Sequence, residues 1–163
     1  MNYETTIDAI RTMEFFRHSA EEALQRLSEI SRLVEFQPRS DIFHEYDRAS
    51  DVFFVVEGKI SLAICAPEVG CRKLMEIGPG ELVGWSPIVG RDRFSDTAST
   101  LAPTTAIVIP SDKLLALCRE QPKFGFEFMH RVAHVVAERL GATRIQLLEK
   151  AGHSLPEVQV DTD

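Results

Sequence analysis

The spacing of apolar residues changes period twice along the chain. At the start it is helical: Ile7, Ile10 and Met13 recur every three residues. Ser19, followed by Glu22 three positions on, has the spacing of a capping box, so a second helix is expected to open there. Leu24, Leu27 and Ile30 give that helix an apolar stripe, and residues 1–30 are read as N-terminal helices.

The period then shortens. Leu33, Val34 and Phe36 begin a short strand, and Pro38-Arg39-Ser40-Asp41 is turn chemistry. Ile42-Phe43 forms another short strand. Val52 to Val56 is an unbroken apolar run, as expected of a buried strand. Glu57-Gly58 turns the chain, after which Ile60, Leu62 and Ile64 alternate with Ser61 and Ala63. Ala66 to Gly70 reads as a hairpin loop. Leu74, Met75 and Ile77 make the next strand, ended by Gly78-Pro79-Gly80, and Ala106 to Ile109 the last, stopped by Pro110. Short strands at close spacing predict a sandwich or barrel-like roll, mainly β with flanking helices. No helical pattern lies between the strands, which excludes a parallel α/β sheet.

After Pro110 the helical period returns. Ser111 is expected to cap a short helix carrying Leu114, Leu115 and Leu117, and Gln121-Pro122 ends it. A long helix is predicted from about Lys123 to about Lys150. Phe126, Met129, Ala133, Val136, Leu140, Thr143 and Leu147 recur along it at alternating spacings of three and four, a heptad seam. Phe128, Val132, Val135, Ile145 and Leu148 form a second apolar set. One face can cover the roll while the other meets a partner helix, so a homodimer is expected. The predicted organisation is helices over 1–30, the roll with its short helix over 31–122, the long helix over 123–150 and a disordered tail over 151–163.

Composition narrows the function. Apolar residues make up 44% and charged residues 26% of the 163, ordinary values for a soluble domain. The net charge of -7, with no Lys/Arg-rich run, argues against nucleic acid, whose binding needs cations on the phosphates. Met1-Asn2-Tyr3-Glu4 has neither the basic region nor the apolar run of a signal peptide. No apolar stretch approaches the roughly 20 residues of a membrane helix. A cytoplasmic protein without membrane contact is expected. Cys65 and Cys71 can bridge only if they face each other across a hairpin; with Cys118 making an odd count, reduced thiols are the expectation.

Catalytic chemistry is not expected. The histidines are His18, His44, His130, His134 and His153, with no His-X-His pair and only His44 near a strand of the roll. His130 and His134 are spaced for a shared metal on the long helix, yet no acidic or thiol ligand is evident beside them, so no metal is assigned. Ser86 has no local base, and no nucleophile elbow, P-loop or Rossmann fingerprint occurs.

From Phe15 to Lys150 the order of helix, roll, short helix and long helix resembles the cyclic-nucleotide-binding domain. That domain is found in catabolite-activator-type regulators, protein kinase regulatory subunits and gated channels. The resemblance is carried by 38–43 with 45–47, by Val52 to Ile60 around Glu57-Gly58, by Ile77-Gly78-Pro79-Gly80-Glu81, and by Ile107-Val108-Ile109-Pro110 leading to Leu114 and Leu117. It implies a jelly-roll sensor domain that regulates rather than catalyses, with a small-molecule ligand and a possible protein partner. Regulators of this kind continue into a helix-turn-helix domain. This sequence ends after the helix and a short acidic tail, so DNA binding of that type is not expected.

The resemblance places the ligand-binding cassette at Val83, Gly84, Trp85, Ser86, Arg93, Asp96, Thr97 and Ala98. Family members that hold cyclic nucleotides use a Gly for close backbone approach, a Glu for the ribose hydroxyl and an Arg for the phosphate. Gly84 and Thr97-Ala98-Ser99 keep that pattern. Trp85 stands at the Glu position and Asp96 at the Arg position. Two like charges about 4 Å apart cost roughly 4 kcal/mol at an effective dielectric near 20, so Asp96 opposes a cyclic phosphate. Arg91 or Arg93 could substitute. Trp85 either walls a planar apolar ligand or fills the vacated pocket. No cofactor is assigned. Haem, bound by some relatives between roll and helix, has formal axial ligands in His44, His130, His134 and Cys118.

Overall fold

The computed structural model describes residues 4–160. Among the described residues, eight strands carry the roll: β1 Arg32–Phe36, β2 Asp41–Phe43, β3 Asp51–Glu57, β4 Ile60–Ala66, β5 Gly70–Ile77, β6 Leu82–Val83, β7 Thr97–Thr100 and β8 Thr104–Pro110. They pair antiparallel into two four-stranded sheets, ordered β1-β8-β3-β6 and β2-β7-β4-β5. Helices α1 Thr6–Thr12, α2 Glu21–Ile30, α3 Ser111–Glu120 and α4 Pro122–Ala151 flank the first sheet.

The unbroken apolar run of β3 follows from burial on both faces. Phe53 and Val55 point into the layer between the sheets, with Phe43, Ile60, Leu62, Ile77, Phe94 and Val108. Val52, Phe54 and Val56 point the other way, into the layer the helices cover. There Phe54 packs edge-on to Phe15 and Phe128, at ring-centroid separations of 4.9 and 6.4 Å. Phe124 stacks on Phe128 at 5.9 Å, which seats the start of α4 on the sheet.

Several expectations are corrected. The second helix begins at Glu21 with Ala20 as its cap and no capping side chain. Ser19 instead closes the 3-10 turn Glu14–Phe16, its N–H donating to the Phe16 carbonyl, so it lies too early to cap. Ser111 is the first residue of α3 rather than its cap; its N–H donates to Ser50. β6 and β7 were not legible as strands, one being two residues long and the other the small polar run Thr97-Ala98-Ser99-Thr100. Cys65 and Cys71 are register partners across β4 and β5 and are joined as a disulfide, against the expectation of free thiols. Of the predicted tail, Gly152–Ser154 forms a 3-10 turn, and residues 155–160 form neither helix nor strand. Residues 1–3 of the N-terminal segment and 161–163 of the tail lie outside the described residues. No helix among the described residues is long and apolar enough to cross a membrane.

Candidate functional site

Gly84 turns the chain from β6 into the 3-10 turn Ser86–Val89 at a φ of +73°. A Cβ there would lie 3.1–3.2 Å from the rings of Phe43, Phe94 and Phe53, so the position needs glycine twice over. The turn leaves Trp85 half-buried against the helix-side core and Ser86 buried beneath it. Facing them across a narrow gap are Ser95 and Asp96, at the entry to β7.

Arg139 of α4 closes this gap. Its guanidinium carbon lies 4.8 Å from the centroid of the Trp85 ring. Its Nη2 donates to the Leu82 carbonyl. Its Nη1 is buried with no hydrogen-bond partner among the described residues. The cavity bounded by Gly84, Trp85, Ser86, Asp96 and Arg139 measures about 10 Å³, room for about one water.

Burial sets the electrostatics. It lifts the Asp96 carboxyl above the usual carboxylate range, opposed by Arg139 and reinforced by Glu45. Burial also lowers the Arg139 pKa, while Glu81, Asp96 and Glu138 pull it back up. A guanidinium stays charged regardless, so the gap carries a permanent positive charge delivered by the long helix.

The structure brings Gly84, Trp85, Ser86 and Asp96 together and leaves the other predicted cassette residues elsewhere. Val83 and Ala98 lie in the layer between the sheets. Thr97 accepts a hydrogen bond from the Glu45 N–H at 3.0 Å. Arg93 is exposed and donates to the Tyr46 carbonyl at 2.6 Å, and Arg91 is exposed on the same loop. Neither lines the cavity. Arg139 and Glu45 were missed because a lone Arg on a long helix and a Glu in a loop both read as solvated charges.

A larger cleft of about 310 Å³ lies on the outer side of Arg139, between α4 and the end of β5. Phe15, Met75, Leu82 and Val135 form its apolar wall. Glu81, Glu138 and Gln146 give it polar edges, and Gln146 Nε2 donates to the Leu74 carbonyl at 2.9 Å. Arg139 thus borders both cavities.

Along α4 the predicted seam is mostly open. Phe126, Ala133, Leu140, Thr143 and Leu147 are exposed, whereas Met129 and Val136 are half-buried against the roll. The second set covers the roll only in its first part: Phe128 and Val132 are buried, but Ile145 and Leu148 are exposed. His130 stacks on Phe126, and His134 pairs with Glu138 at 3.3 Å. His44 sits at the surface between Asp41 and Asp47, 2.9 and 3.5 Å away.

The family model for the cyclic nucleotide-binding domain matches residues 33–121, more than half of the chain. No curated protein matches it by sequence. Among solved structures, a cyclic nucleotide-binding domain from Methylobacillus flagellatus KT is 17% identical, with a TM-score of 0.75 over 94% of this chain and 84% of that one. The catabolite activator protein of Thermus thermophilus is 24% identical, with a TM-score of 0.68 over 82% of this chain and 61% of its own. The sensor domain of the transcriptional regulator DNR from Pseudomonas aeruginosa is 13% identical, with a TM-score of 0.68 over 82% and 90%. At these identities the likeness is one of fold.

Proposed function

Because the chain belongs to the cyclic nucleotide-binding domain family, we propose that it is a non-catalytic, cytoplasmic regulatory sensor whose phosphate-binding cassette is closed by its own side chains. The observation that carries this reading is Arg139 laid on Trp85 over a cavity of about 10 Å³. Small-molecule sites span roughly 300–1,000 Å³. A cyclic nucleotide could enter only if Trp85 and Arg139 moved out together. Its phosphate would also meet Asp96.

The effector in this reading is a small molecule bound in the outer cleft, whose volume of about 310 Å³ falls in the range of ligand pockets. An occupant there presses on Val135 and the stem of Arg139. It thereby shifts α4 against the cassette, and α4 passes the change to a second copy through its exposed seam. The residues lining the cleft include no His or Cys to serve as an axial ligand, so haem is not part of the reading. A thermal-shift screen of nucleotides and other metabolites tests it, run on the wild type and on Ala142→Trp, which fills the cleft. The expected result is a stabilising compound whose shift vanishes in the variant. A shift that survives in Ala142→Trp would place the effector elsewhere, and no shift from any compound would favour a ligand-free interaction module.

A further inference from the structure

Residues 64–73, the free end of the β4–β5 hairpin, are exposed throughout. The disulfide between Cys65 and Cys71 is embedded in that end, so it holds no core together. β5 is also the edge of its sheet and, among the described residues, pairs only with β4. Beyond the irregularity at Leu62/Ala63, the far part of β5 has the ladder and the disulfide to fix it. A two-stranded ribbon without an apolar face is marginal in water, so the covalent bond adds directly to the ladder in holding this end closed.

The hairpin touches the cassette on one side and the long helix on the other. The Cys65 N–H donates to Glu45 Oε2 at 3.1 Å, and Glu45 is the carboxylate that bears on Asp96. The Leu74 carbonyl accepts from Gln146 at 2.9 Å. Past Arg139, this is the hydrogen bond that ties α4 to the roll among the described residues. Met75 packs into the cleft beneath the same part of the helix.

We infer that Cys65 and Cys71 form a reversible thiol–disulfide switch, opened by a dithiol reductant, which controls how firmly the distal half of α4 is docked. In exchange, a thiolate of the reductant attacks one sulfur and the Cys65–Cys71 bond breaks, releasing the other sulfur as a thiolate. The reductant's second thiol then displaces the mixed disulfide. The protein gains two electrons and two protons as two thiols, and the reductant leaves as a disulfide; a small disulfide oxidant reverses the change. Cys118 is a bystander, half-buried, its thiol pushed up to about 11 by burial and so scarcely ionised. Disulfides that persist in reducing compartments are mostly redox-sensing or catalytic. The switch requires neither the cleft ligand nor the dimer.

Hydrogen exchange followed by mass spectrometry tests it on the full chain, oxidised with glutathione disulfide or reduced with dithiothreitol. Reduction should speed exchange about tenfold both in residues 64–76 and in residues 140–150, an opening easier by about 1.4 kcal/mol. The Cys65→Ser/Cys71→Ser variant should exchange at the reduced rate in both buffers, and Cys118→Ser should behave as wild type. Acceleration confined to the hairpin, with residues 140–150 unchanged, would overturn the coupling. Free Cys65 and Cys71 by alkylation after glutathione disulfide treatment would overturn the switch itself.

Discussion

The guanidinium of Arg139 rests on the face of Trp85, 4.8 Å from ring centroid to Cζ, and so joins the long helix to the turn that follows β6. A cation over an indole contributes about 0.5–2 kcal/mol, the larger value when desolvated. The bond from Nη2 to the Leu82 carbonyl adds about 1.5–3 kcal/mol as a charged hydrogen bond. Arg139→Ala should therefore lower stability by roughly 2–5 kcal/mol. It should also red-shift the emission of Trp85, the chain's one tryptophan, as water reaches the ring. An unchanged emission maximum would mean the contact does not shield the indole in solution.

Asp96 gives the domain a pH dependence of definite sign. Burial raises its pKa in the folded state above that of the unfolded chain. Between those two values the folded state binds more protons, so this group's contribution to stability falls as pH rises through the window and stays low above it. Asp96→Asn, which cannot ionise, should raise the melting temperature at pH 7. The advantage over wild type should shrink as the pH is lowered through the folded pKa. Melting curves by circular dichroism check it; a variant less stable than wild type at pH 7 would show that the pull of Arg139 outweighs burial.

Much of the fold was legible in the sequence. Val52 to Val56 announces a strand covered on both faces because every position is apolar, and β1 to β5 and β8 follow from period and punctuation. β7 was not legible because its contribution is a tight fit of small residues, Ala98 between Phe43 and Leu62, rather than an apolar alternation. The site was half legible. Gly84, Trp85 and Asp96 could be aligned on the family's cassette, but the group that fills it, Arg139, comes from a helix more than forty residues on. Nothing local distinguishes it from the solvated Arg144. The disulfide is open in the sequence as a hairpin pairing, but the odd cysteine count and the expected cytoplasmic setting both point to free thiols, and the pairing of Cys65 with Cys71 across β4 and β5 overrides them.

Gly84→Ala should be costly for two separate reasons. The added methyl meets three phenylalanine rings at 3.1–3.2 Å, and a φ of +73° is strained for any residue with a Cβ. Positions of this kind lose about 1–3 kcal/mol, or roughly 2–4 °C of melting temperature per kcal/mol for a chain of this size. Gly90→Ala, also at positive φ but with open space around it, should lose less. Equal losses in the two variants would mean that the packing around Gly84 yields easily.

Leu140 lies on the open stretch of the α4 seam, 49% exposed. Leu140→Asp should leave the roll itself folded, since Leu140 lies outside its core, and should lower the melting temperature only by the loss of linkage to association. Multi-angle light scattering should show the wild type as a dimer and the variant as a monomer. A wild type that is monomeric at tens of micromolar, or a variant that stays dimeric, would remove this seam as the interface.

Isothermal titration of cyclic AMP into the wild-type protein tests the closed cassette most directly. The Trp85→Glu/Asp96→Arg double variant serves as the positive control, since it restores the side chains the family uses and removes the ring that Arg139 rests on. The wild type should give no binding heat at any dissociation constant tighter than about 1 mM, about -4 kcal/mol, and the double variant should bind measurably. A wild-type dissociation constant in the low micromolar range, equivalent to about -8 kcal/mol, would contradict it: Trp85 and Arg139 would then be a gate that the nucleotide opens rather than a plug.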